Sequence, residues 1–158
     1  MSKQLTMYIG LLHTHSMLRY LVLIMLLVVI VNSFIGMTSK KPFGKTDNLL
    51  GLTLFSATHT QLLVGLLLFF VSPFVSFSGE AMKNQSLRYW TTEHSLMMLI
   101  AIVLITMARI TAKKMTDDGA KHKRMFVFNA LALLIILVAI AMSGRGFLSL
   151  PGMSTGQA

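Results

Sequence analysis

Four apolar runs, each about as long as a bilayer is thick, limit what this chain can become. They cover about residues 18–37, 49–71, 87–110 and 125–142. A helix rises ~1.5 Å per residue, so about 20 residues cross the hydrocarbon core. Hydrophobic residues make up 54% of the chain and charged residues 12%, about half the charged share of a soluble domain. The expected fold is an all-α integral membrane bundle of four antiparallel helices, up-down-up-down. It forms one domain over residues 1–158, with a loose tail at 149–158. The first run is too long for a cleaved signal peptide and lacks a small-x-small cleavage site, so it reads as the first span.

Charge gives the orientation. The net charge is +9, but the cations sit in connections, which argues against a nucleic-acid partner. Lys40, Lys41 and Lys45 lie between spans one and two. Arg109, Lys113, Lys114, Lys121, Lys123 and Arg124 lie between spans three and four. These are nine of the fourteen basic residues. Lys3, Lys83, Arg88 and Arg145 fall on the other side. The positive-inside rule then puts both termini outside and the basic loops in the cytoplasm, against anionic lipid headgroups. Breakers Pro42, Gly44, Pro73 and Gly79 end the helices, and Asp117 and Asp118 are placed to cap the fourth. Short connections make successive spans neighbours and leave spans one and three diagonal.

Polar residues inside the runs then need explaining. There is no cysteine, hence no disulfide, thiolate metal site or covalent haem attachment. Five histidines remain. By helical rise, His15 falls near the outer interface, His94 about 5–10 Å deep and His59 about 15–18 Å deep. His13 and His15, two residues apart, point about 200° from each other on a helix, so at most one faces a given site and either alone reads as interfacial. His122, in "KHKR", reads as solvated. An ionisable group within a span is expensive unless it is paired. Arg19 shares a helix face with His15, and Glu93 lies at a matching depth, so an Arg19–Glu93 ion pair is expected, or else Arg19 neutralises a bound carboxylate. Gln61 follows His59, and Ser56 and Thr60 are placed to orient the His59 ring. Met98 shares a face with His94. Tyr20, Tyr89 and Trp90 sit where an aromatic belt belongs.

Neutral imidazoles on different helices, with an arginine nearby, suit haem iron, which takes two axial nitrogens and fills a bundle core. A zinc or copper site would want its ligands more clustered, and a proton relay would also use Glu and His. The stretches "LLHTHSMLRY", "HTQLLVGLLLFFVSP", "TTEHSLMMLIAIVLITMAR" and "KHKR" together resemble a family of small bacterial four-helix membrane proteins described as cytochrome b-like. The resemblance covers nearly the whole chain. It points to His15 with Arg19, His59 with Gln61, Glu93 with His94, and then Arg109 and His122. It implies haem b, membrane electron transfer and a bacterial inner-membrane location.

Two haems would need matched depths, which His59 and His122 lack. One haem is therefore expected, held by His94 and either His15 or His59, with the remaining histidine lining a quinol pocket or proton path. No catalytic residue is assigned, and the reading favours an electron carrier over a stand-alone enzyme. Other membrane subunits, or further copies of the chain, are expected partners. A haem-free accessory subunit and a small proton-coupled or metal-handling transporter are the alternative functions.

Overall fold

The computed structural model describes residues 3–144; Arg145 and the expected tail at 149–158 lie outside them. Four long helices carry the fold: α1 (Lys3–Thr38), α2 (Lys45–Val71), α3 (Gln85–Lys114) and α4 (Asp118–Met142), each long and apolar enough to cross a membrane. The expected four-helix bundle is therefore found, and the protein is a membrane protein. α1 has 36 residues, about 54 Å at helical rise. It outruns the hydrocarbon core, so the segment carrying His13 and His15 is continuous helix.

Local chemistry sets the helix ends. α1 closes with the Lys41 amide donating to Gly36 O at 3.0 Å, while Lys40 takes a left-handed φ of 53°, the pattern that usually places glycine at that position. At the start of α2, Gly44 N–H donates to Asp47 Oδ2 at 2.8 Å. Asn84 caps α3 through bonds from Ser86 N and Leu87 N. Asp117 caps α4, accepting from Ala120 N at 2.6 Å. Asp118 instead pairs with Lys121 at 2.8 Å.

Near its start α3 contains one wide π turn, Tyr89–Glu93, in which His94 N–H reaches back to Tyr89 O. One extra residue in a turn shifts everything before it around the helix axis, and such turns gather at functional sites.

α1 packs against α2 and α4, and α3 packs against α4. The core is built from Leu26 and Val29 of α1, Leu54 of α2, Ile105 and Ala108 of α3 and Ala132 of α4. Alanines at Ala101, Ala108, Ala112, Ala132 and Ala139 are almost wholly buried. Small side chains let helices approach closely where lipid supplies no hydrophobic drive. α2 and α3 pack sparsely. They are tied near the basic connections, where Arg109 Nη1 donates to Asn48 O at 3.0 Å and a β-carbon at Gly51 would stand 3.2 Å from that nitrogen. Towards the opposite end the space between these helices is a cavity.

Candidate cofactor-binding cavity

The cavity has a volume of about 400 Å³, within the range of small-molecule sites. Its walls are mainly apolar, with Val22, Leu62, Ile105 and Ile136 among them. Four residues singled out from the sequence line it together: His15 and Arg19 from α1, Gln61 from α2 and His94 from α3. Met98 joins them, one turn beyond His94.

The two imidazoles define the geometry. Their ring centres lie 6.4 Å apart and their planes differ by 70°. Two imidazoles bound in line to one metal, each about 2 Å from it, hold their ring centres about 6 Å apart. The difference in plane does not matter to that arrangement, since each ring can turn about its own metal–nitrogen bond. His15 is seated by α2. Gln61 Nε2 donates to His15 O at 3.0 Å, and the ring lies against Gly65, where a β-carbon would come within 3.2 Å of His15 Cε1. His94 is seated by its own helix, with Trp90 and Tyr89 ring centres at 5.2 and 5.9 Å. The π turn makes this possible. It brings Tyr89, Trp90 and His94 onto one cavity-facing surface, although an ordinary helix would splay residues five apart.

Polar atoms of the walls are left without protein partners. His15 Nδ1, Gln61 Oε1 and Thr58 Oγ1 are buried and make no hydrogen bond. Buried polar groups are nearly always bonded, so these three atoms favour a ligand with polar groups of its own. Arg19 Nη2 donates to Tyr20 OH at 3.0 Å, and the guanidinium sits 4.8 Å from the Tyr20 ring centre. The guanidinium belongs to a residue of the cavity wall, and a cation there suits a ligand carboxylate.

Several expectations are corrected. His59 does not line the cavity. Its Nδ1 is 2.8 Å from Phe55 O and its ring stacks on Phe55 at 4.0 Å, so the backbone one turn back orients it. Thr60 bonds Ser56 O instead. Glu93 pairs with Arg88 at 2.7 Å, where Arg19 was the expected partner. The reason is local: the two sit five apart across the wide turn, on the helix surface. Tyr89 is no belt residue. It is buried and donates its hydroxyl to Ala139 O. His122 is not solvated but fully buried, its Nε2 3.1 Å from Lys41 O and its ring centre 4.9 Å from Phe43. His13 is exposed.

Sequence reasoning missed the second polar cluster, which surrounds His122 at the basic end. Buried Asp47 accepts from Asn32 Nδ2 at 2.6 Å and from Gly44 N, with Lys41 Nζ at 3.6 Å. Apart from that cluster, two turns further along α4, Asn129 is wholly buried and donates to Met125 O at 2.7 Å. Asn32 and Asn129 could have been flagged as amides inside apolar runs. Gly65 could have been flagged as a lone glycine in "LLVGLLL".

Among the described residues, no group of three or more His, Cys, Asp or Glu converges on a metal position. Two imidazoles alone suit a metal that brings its own equatorial donors. The histidine pair, the apolar walls, the unpartnered polar atoms and the arginine therefore fit a haem. Compared with family models, with curated proteins and with solved structures, the chain finds no match.

Proposed function

We propose that this protein binds one haem b between His15 and His94 and serves membrane electron transfer. In this reading it is a subunit or partner of a respiratory assembly that exchanges electrons with quinol. The observation that carries the proposal is the pair of imidazoles on diagonal helices, 6.4 Å apart across an apolar cavity. Haem, when bound, supplies a one-electron couple inside the bilayer.

The chain's own residues supply the rest. His15 and His94 would hold the iron through their imidazole nitrogens. Gly65 and Gln61 on one side, with Tyr89 and Trp90 on the other, hold the two rings in place. Arg19 offsets a carboxylate. The apolar walls exclude water, which favours the less charged redox state. The cluster of lysines and arginines at the far end favours the orientation with the basic loops in the cytoplasm and both termini outside. On that orientation the cavity lies in the outer half of a bacterial inner membrane.

A metal-handling or proton-coupled transporter is less well supported, because Glu93 is paired with Arg88 away from the cavity. A haem-free accessory subunit would leave the polar atoms of the cavity wall unsatisfied.

The test is an optical spectrum of protein purified in mild detergent from haem-replete cells. A reduced-minus-oxidised alpha band is expected. It should be lost in His15→Ala and in His94→Ala and kept in His59→Ala. A colourless wild-type preparation, or a band that depends on His59 and not on His15, overturns the proposal.

A further inference from the structure

The cavity has a side opening as well as walls. Three of the four helix seams are closely packed. The fourth, between α2 and α3, is sparsely packed, and Arg109 ties it at Asn48 and Gly51. Further along the same two helices, on the cavity side of that tie, are Leu66 of α2 and Leu99 of α3. Both line the cavity, yet they are 45% and 48% exposed. A side chain can do both only at a rim. Both leucines lie inside spans, so the rim faces lipid chains.

The end of the bundle beyond the rim is covered. Ser72, Phe74 and Val75 of the α2–α3 connection line the cavity there. That connection is fastened to the π turn by a bond from Ser76 N to Thr91 Oγ1 at 3.1 Å. Within the cavity, Thr58 is 3% exposed and its buried hydroxyl has no hydrogen-bond partner. A lipid tail in the cavity would leave that hydroxyl unsatisfied, whereas a ligand bearing oxygens would not.

We propose that the gap between Leu66 and Leu99 is a lateral portal through which the tetrapyrrole enters its cavity from the bilayer. The inference rests on the haem reading. A flat, mostly apolar molecule with carboxylates at one edge partitions into a bilayer, so the membrane itself can present it to this opening. The apolar leucines pass the macrocycle, and the polar wall with Arg19 receives its oxygens.

The chain has no cysteine, so a Leu66→Cys and Leu99→Cys pair can be bridged uniquely by a long-armed bis-maleimide. Haem-free protein in phospholipid nanodiscs is mixed with haemin, and the growth of the Soret band is followed in time. Bridging before haemin is added should slow uptake by about tenfold or more, because entry then needs a rarer opening. Bridging after loading should leave the band intact and slow the release of haem to apomyoglobin. Equal uptake with and without the bridge overturns the portal and assigns entry to the covered end. If the unbridged protein takes up no haem at all, the haem reading itself falls and the portal with it. Leu66→Trp and Leu99→Trp give a second measurement without chemistry: slowed uptake to a normal final band supports the portal, and an unchanged rate opposes it.

Discussion

Gly65 leaves the space that the His15 ring occupies: a β-carbon there would stand 3.2 Å from His15 Cε1 and 3.6 Å from Nδ1. A helix–helix contact therefore decides where a side chain on the other helix can point. Gly65→Ala should be tolerated with a shift of a few tenths of an ångström, whereas Gly65→Val should push the ring off its position. The expected result is about a tenfold loss of haem affinity in Gly65→Val, which is about 1.4 kcal/mol, measured by haemin titration. Unchanged affinity in the valine variant would show that His15 needs no seat on α2.

His122 and Gly36 form the matching contact at the basic end. A β-carbon at Gly36 would lie within 2.3–2.6 Å of three atoms of the His122 ring. Gly36→Ala should destabilise the protein by about 1–3 kcal/mol through overpacking, seen as a lower midpoint of thermal unfolding in detergent. The loss should shrink in a His122→Ala background, where the clashing ring is gone. A double-mutant cycle measures that coupling.

Asp47 holds the α1–α2 connection to α1. Its carboxylate accepts from Asn32 at 2.6 Å and from the Gly44 amide at 2.8 Å. Asp47→Ala should cost about 1–3 kcal/mol by leaving those donors unpaired. Asn32→Ala, which removes one donor and keeps the cap, should cost less. Denaturant or thermal unfolding of the two variants side by side checks the order.

Lys40 is a lysine in a glycine's conformation, with φ at 53°. Removing its β-carbon relieves the left-handed strain, so Lys40→Gly should stabilise the protein by about 1 kcal/mol. A lowered midpoint would mean that the lysine's charge contributes more than its backbone strain costs.

What the sequence by itself determined is the set of spans, their order and most of their ends. Hydropathy marks a helix that must lie in lipid, and short connections leave little choice but alternation of direction. Asp117 at the start of α4 and the breakers Pro42 and Gly44 were readable for the same reason: capping and backbone constraint are local. His15, Arg19, Gln61 and His94 were readable as candidates because polar groups within apolar runs need partners. Which of them meet was decided only in three dimensions. In a soluble protein, the polar face of a helix reveals its rotation. Here lipid and core are both apolar, so the two faces of α1 or α2 look alike in sequence, and helix packing sets the rotation. Packing is what turned His59 out of the cavity onto Phe55 and drew His122 out of a basic loop into full burial, whereas the wide turn gave Glu93 to Arg88. The single wide turn at Tyr89–Glu93 then brought Tyr89 round beside the His94 ring.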